Sequence, residues 1–174
     1  MSSIASQIYK NIEAILINDG SDDNSYNIAK LFCEKDNRFQ LITHANARVA
    51  AARDKGLKLA HGEYVIHIDA DDLIAEKAME YLYQSMVDNN SDIAVGAYTK
   101  QSDKGDEFIK HYADDKYTFT RNILTGQYHS SLCNKLTKMD HCKNIIFDEG
   151  INYMEHKLFL AKILRKDNIR IFIN

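Results

Sequence analysis

Asp69 and Asp71 stand one residue apart where an apolar run ends and a helix-forming run begins, so both carboxylates leave the chain at one turn. Hard divalent cations take oxygen-rich sites of this kind. Mg²⁺ or Mn²⁺ held by one or two carboxylates keeps open positions for the phosphates of a substrate. Taken alone, an acidic run after a strand is more often a solvated turn or a helix cap than a metal site. Asp19, before Gly20, ends another apolar run and is by itself a turn residue, since Asp-Gly is a strong turn signal. Arg53 by itself reads equally as a site residue or as a solvated helix residue paired with a local carboxylate such as Asp54 or Glu63. His67, in alternation with Val65 and Asp69, reads as a core or rim histidine in preference to a ligand.

The elements that must position these groups follow from hydrophobic periodicity. Residues 11–18 (NIEAILIN) form a nearly continuous apolar run into Asp19-Gly20-Ser21, the pattern of a buried strand entering a turn. Ile28, Leu31 and Phe32 fall at helical spacing over residues 25–36, with N-cap candidates in Ser21-Asp22-Asp23-Asn24. Residues 39–43 predict a second strand, and 49–60 a helix stopped by Gly62. Residues 64–68 predict a third strand that delivers Asp69-Ala70-Asp71-Asp72, followed by a helix over 75–87 and a strand over 93–97. Strands alternating with helices predict an α/β domain with a mainly parallel sheet, whose ligands collect at the carboxyl ends of the strands. Residues 100–116 lack periodicity and predict a long surface loop. Short and longer helices are expected over 119–125 and 152–164, and a last strand over 169–173.

A chain of 174 residues, 45% apolar and 27% charged, is long enough to bury one core, so a single domain over 1–174 is expected. A formal charge of −3 with interspersed signs gives no field for a polyanion, which argues against nucleic acid as a partner. Cys33, Cys133 and Cys142 are odd in number and show no C-x-x-C spacing, which indicates neither a disulfide framework nor a zinc site and fits a reducing cytoplasm. No apolar stretch reaches membrane-spanning length and residues 1–10 carry no signal pattern, so any membrane contact is expected to be peripheral.

Several blocks stand together in order. They are Ile17-Asn18-Asp19-Gly20-Ser21-Asp22-Asp23, Val49-Ala50-Ala51-Ala52-Arg53-Asp54-Lys55-Gly56, and Gly62-Glu63-Tyr64 leading into Asp69-Ala70-Asp71-Asp72. Cys133-Asn134-Lys135-Leu136 and Phe147-Asp148-Glu149-Gly150-Ile151 follow. In order and spacing these resemble the signature blocks of family-2 glycosyltransferases of GT-A fold, over nearly the whole chain. The resemblance implies a nucleotide-sugar-binding part over 1–98 and an acceptor-side part over 99–174. It implies that Asp19 contacts the nucleotide base, that Arg53 lies near the diphosphate, that Asp69 sits toward the ribose and metal, and that Asp71 is the principal ligand of Mn²⁺ or Mg²⁺. The activity implied is inverting transfer of a sugar from a nucleotide diphosphate donor, a UDP-sugar, to a glycan or lipid-linked acceptor in cell-surface polysaccharide or lipopolysaccharide synthesis.

The chain departs from the family pattern in three places. The family's opening strand has no counterpart, which is expected to leave neighbouring backbone groups unpaired and an apolar edge open to self-association. Where inverting members carry Glu-Asp before Leu-Phe, this chain reads Glu155-His156-Lys157-Leu158-Phe159. His156 therefore takes the place of the base; imidazole, with an ordinary pKa of about 6.5, can serve near neutral pH. Glu155 is a second candidate, and both also read simply as residues decorating a helix start. Ala47-Arg48 replaces glycines. These departures motivate an alternative, a catalytically silent remnant or accessory nucleotide-binding subunit. A phosphatase of haloacid-dehalogenase type also uses Asp-x-Asp, but on its first strand and followed by Gly-Thr or a similar pair, whereas Leu73 follows Asp72 here and two strand-helix units precede.

Overall fold

The computed structural model describes residues 1–113, 115–148, 150–151 and 154–173. A short helix α1 (Ser2–Ala5) leads into β1 (Ala14–Asn18), α2 (Ser25–Lys35), β2 (Phe39–Thr43), α3 (Arg48–Leu59) and β3 (Tyr64–Val65). Then come α4 (Ala78–Asp88), β4 (Ile93–Val95), β5 (Tyr98–Lys100), β6 (Glu107–Ile109) and α5 (Lys116–Thr125). The chain continues through β7 (Lys135–Lys138), α6 (Met139–Cys142), α7 (Glu155–Leu164) and β8 (Ile171–Ile173). The expected α/β alternation is present. β1 pairs parallel with β2, and β4 with β8, while β7 lies antiparallel between β3 and β4.

Two expectations need correction. The third strand is shorter than residues 64–68. Among the described residues, only Tyr64 and Val65 of this stretch find ladder partners, in Lys138 and Thr137 of β7, and residues 66–68 run on without one. Residues 100–116 are not one loop, because β5 and β6 form an antiparallel hairpin. Its residues are mostly exposed, so it carries no alternation of apolar and polar positions that would mark it. Part of the expected helix over 152–164 and one residue of the block at 147–151 lie outside the described residues, as does residue 174.

The core gathers where β4 is covered from several sides. Ile93 and Val95 pack with Phe119 and Ile123 of α5 and with Phe159, Leu160 and Ile163 of α7. α5 is held by ordinary end chemistry. Asp115 accepts a hydrogen bond from the Thr118 N–H at 2.7 Å, and Gly126 ends the helix at φ +79°, a conformation glycine adopts without steric cost.

Asp92, 5% exposed at the start of β4, ties three strands together. Its carboxylate accepts from Lys138 Nζ at 2.8 Å and from the Arg170 N–H at 2.9 Å, and lies 3.4 Å from His141 Nε2. Burial alone would raise its pKa, but Lys138, Arg170 and His141 outweigh it and hold the carboxyl below the usual range. A depressed folded-state value contributes stability that is present above the ordinary carboxylate range and lost as pH falls through it. Asp92→Asn is expected to cost about 2 kcal/mol at neutral pH and to flatten the loss of stability below about pH 4. Denaturant titrations at neutral and acid pH check this; an unchanged pH slope in the variant would assign the acid sensitivity elsewhere.

Candidate active site

The turns after β1 and β3, the middle of α3 and the start of α7 supply the predicted residues. Asp19 follows β1, and its Oδ1 accepts from the Ala47 N–H at 2.7 Å and lies 3.2 Å from His44 Nδ1. The turn beside it needs Gly20: φ is +75°, and a Cβ there would lie 3.0 Å from the Asn46 backbone nitrogen. Asn18 closes the same turn by accepting the Ser21 N–H. Arg48, the first residue of α3, has φ +73°. That left-handed conformation costs a residue with a Cβ roughly 1 kcal/mol, which is why glycine suits this stretch.

Arg53 is the joint of the site. One guanidinium nitrogen donates to Asp69 Oδ1 at 2.8 Å, and the other makes a very short contact with Glu155 Oε1. Arg53 is 13% exposed, Glu155 7% and Asp69 45%, so the Glu155 pair is the desolvated one and the Asp69 pair the wet one. The guanidinium also lies over the Phe147 ring, 5.8 Å from its centroid. Next to Arg53 in sequence, Asp54 is buried and accepts the Phe147 N–H at 2.9 Å. Burial by itself would raise the Glu155 pKa. Its own backbone N–H, Arg53 and His156 overcome that and hold it below the usual range. His156 Nδ1 stands 3.5 Å from Glu155 Oε1.

His67 packs within the apolar interior: its ring meets Phe147 and Phe159 edge-on, and among the described residues its buried Nε2 has no hydrogen-bond partner. Desolvation first, and the Arg53 charge second, lower its pKa to about 4, so it is neutral at physiological pH.

The structure thus brings Arg53, Asp69, Glu155 and His156 together, and places Asp19 at the end of β1 with its own partners. Asp71 is exposed on the turn. Among the described residues the group able to hold a metal is Asp69, Asp72 and Cys133, whose ligand atoms lie within 4.8 Å of one another. The two carboxylates suit a hard cation. The Cys133 thiol, pushed up to about 11 by burial and then by Asp72, is a poor ligand for one at neutral pH. Asp72 belongs to the same acidic run as Asp69 and Asp71. Cys133 belongs to one of the blocks above, but nothing in the sequence places its thiol at that turn; only the tertiary fold carries it there from the loop before β7. Lys135, buried in β7, was equally unreadable as a structural cation. Its Nζ donates to His129 O, Ser131 O and Asn134 Oδ1 at 2.7 to 3.1 Å, and so organises the loop that carries Cys133.

The acidic turns and the Arg53 joint gather at the carboxyl ends of strands in an α/β domain, the edge at which sheets of this kind take ligands. The profile of glycosyl transferase family 2 matches residues 1–152, and the chain belongs to that family. It is 42% identical over 117 residues to glycosyltransferase GlyA of Streptococcus pneumoniae, covering 67% of this chain and 17% of GlyA. It is 26% identical over 176 residues to the uncharacterized glycosyltransferase EpsJ of Bacillus subtilis, covering 95% of this chain and 51% of EpsJ. The chain therefore spans about half of EpsJ and a smaller share of GlyA. The crystal structure of S. aureus TarS superposes with a TM-score of 0.80 at 23% identity, covering 98% of this chain and 31% of that one. A shorter TarS structure in complex with UDP superposes with a TM-score of 0.78 at 22% identity, covering 98% of this chain and 51% of that one. No helix of the described residues is long and apolar enough to cross a membrane.

Proposed function

We propose that the chain supplies the donor site of an inverting glycosyltransferase that moves a sugar from a UDP-sugar to a glycan or lipid-linked acceptor, in the synthesis of a cell-surface polysaccharide or lipopolysaccharide. The observation that carries this reading is Arg53, which links the acidic turn after β3 to the first turn of α7. In this reading a donor-side carboxylate, Asp69, and an acceptor-side one, Glu155, are held on one cation. TarS, of the same fold, was solved with UDP, which supports UDP as the nucleotide to try.

In this reading Asp19 receives the base and Asp69 the ribose side, while Arg53 faces the diphosphate. Asp71 and Asp69 are the proposed ligands of Mn²⁺ or Mg²⁺, with Asp72 close enough to Asp69 to assist. The ion would neutralise charge on the leaving diphosphate. The acceptor hydroxyl gives its proton to His156 as its oxygen bonds to the anomeric carbon and the bond to the diphosphate breaks. His156 is favoured over Glu155 because Glu155 is buried and committed to Arg53, where it is better suited to orient the imidazole 3.5 Å away.

Calorimetric titration of the chain with UDP, with and without Mn²⁺, tests the donor site. Binding is expected to require the ion, and Asp71→Ala is expected to weaken it about tenfold or more. Undiminished binding would remove Asp71 and leave Asp69 with Asp72. For the base, His156→Ala is expected to lower transfer by about 100-fold while leaving UDP affinity unchanged. Transfer at the original rate, measured by release of UDP from a UDP-sugar in the presence of acceptor, would move the role to another group.

A further inference from the structure

A chain of rings runs from the core to the surface beside the site. Phe119 of α5 meets Tyr128, Tyr128 stacks on His111 with centroids 4.1 Å apart, His111 meets Tyr98 at 5.8 Å, and Tyr98 meets His129 at 5.9 Å. The inner end is buried, whereas Tyr98 is partly exposed and His129 exposed. His129 is nevertheless fixed. Its carbonyl oxygen accepts from Lys135 Nζ at 3.1 Å, and its Nδ1 accepts the Ser131 N–H at 3.3 Å. The same loop is tied to the end of β4, because the Asn134 amide donates to Gly96 O at 2.7 Å and the Gly96 N–H to Asn134 O at 2.9 Å. A backbone N–H can only donate, so Nδ1 offers its lone pair and the neutral ring carries its proton on Nε2. Desolvation first, and the Lys135 charge second, lower the His129 pKa and keep the ring neutral at physiological pH. Neither His129 Nε2 nor the Tyr98 hydroxyl has a hydrogen-bond partner among the described residues. Both lie at the site. Asp72 and His156 act electrostatically on His129, and Tyr98 is acted on by Cys133, whose Sγ is within 4.8 Å of the Asp69 and Asp72 carboxylates.

We propose that Tyr98 and His129 form the acceptor subsite, in which a pyranose ring lies with its C–H face on the Tyr98 ring while His129 Nε2 donates to one of its hydroxyl oxygens, turning another hydroxyl toward His156. This inference rests on the proposed function and names its acceptor as a sugar. The C–H bonds on one face of a pyranose are apolar and carry partial positive charge, which suits the negative face of an aromatic ring. A single directed hydrogen bond then sets the orientation, as in other sites that pair an aromatic wall with a few polar groups. The local charge points away from a phosphate. His129 is neutral, Lys100 and Asp72 act on it with opposite sign, and Lys135 has its three N–H bonds committed to His129 O, Ser131 O and Asn134 Oδ1. The unpartnered Nε2 and hydroxyl likewise make the platform too polar for an acyl chain. An exposed imidazole held this firmly loses little freedom when it binds, which is what a recognition group requires.

The test titrates the full chain, labelled for NMR in its His and Tyr rings, with methyl β-glucopyranoside, methyl β-galactopyranoside and methyl N-acetyl-β-glucosaminide in the absence of nucleotide. At least one of them is expected to shift the His129 and Tyr98 signals saturably while leaving those of the exposed His61 unmoved. Tyr98→Phe, which keeps the ring, should hold that affinity within about threefold, whereas Tyr98→Leu and His129→Leu should each lower it about tenfold or more. His129→Gln, which keeps a donor, should fall between. The melting temperature and the affinity for UDP with Mn²⁺ should stay unchanged in all four variants. Failure of all three glycosides to move these rings overturns the proposal, as does binding to Tyr98→Leu at the original affinity. Weaker binding of UDP-glucose, but not of UDP, to Tyr98→Leu in a chain that takes no glycoside would give the platform to the donor's sugar and overturn it too. Glycoside binding by a chain that does not bind UDP would uphold this subsite and refute the donor-site reading instead.

Discussion

Arg53→Ala is expected to destabilise the fold by about 3–5 kcal/mol and to abolish nucleotide binding with it. The magnitude comes from what the substitution leaves behind. Glu155 is 7% exposed, and without the guanidinium its carboxylate keeps only its own backbone N–H and His156 as compensation. The Asp69 contact adds little, because that carboxylate is 45% exposed and water replaces the lost partner. The pair can be separated from the packing of its atoms by a cycle. Arg53→Met with Glu155→Gln removes both charges while keeping much of the volume, and is expected to recover most of the loss, whereas Arg53→Met alone is not. Urea unfolding of the four proteins gives the coupling. A loss below about 1 kcal/mol for Arg53→Ala would mean that Glu155 is solvated and that the joint between the acidic turn and α7 is weak.

Phe159→Ala is expected to cost about 3–5 kcal/mol, because it empties a site that cannot collapse. Phe159 is 2% exposed and stacked on Phe147, with centroids 4.1 Å apart and planes 2° from parallel, and His67 closes the edge of the pair. Phe159→Leu, which keeps most of the apolar volume, should cost less than half as much. The effect reaches the site as well, since Phe159 lies one helical turn beyond Glu155 and Phe147 underlies Arg53. Urea unfolding checks the stability change. A cost near that of a surface substitution would show the stack to be loosely held.

The parts of the fold set by local pattern were legible. β2 was readable to its end residues because Phe39 to Thr43 is a short β-forming run between polar segments, and α2 because its apolar positions recur at helical spacing. β7 was not. Lys-Leu-Thr-Lys carries no apolar run, and nothing local shows that Lys135 is buried among carbonyl oxygens. The hairpin of β5 and β6 lacks a buried face and so lacks a pattern. In the site, the acidic turn was visible as a run, and Asp19 and Arg53 through the order of their blocks. The bond between Arg53 and Glu155 was not, since the two are 102 positions apart and only the tertiary fold brings them into contact. Cys133 entered the acidic turn for the same reason.

α3 has a consequence for cooperativity. The sheet is split, yet Ala50 on this helix is buried in the core around β4, and Gly56 packs near Ile17 of β1. Arg53 and Asp54, between them, fasten the turn after β3, the start of α7 and the Phe147 backbone. A helix shared by both half-sheets makes it costly for either to melt alone, so the molecule unfolds as one unit despite its divided sheet. The residues proposed to recognise a ligand are then the same ones that make the transition all-or-none. A change at the site registers in the global melting temperature, and a change in global stability registers at the site.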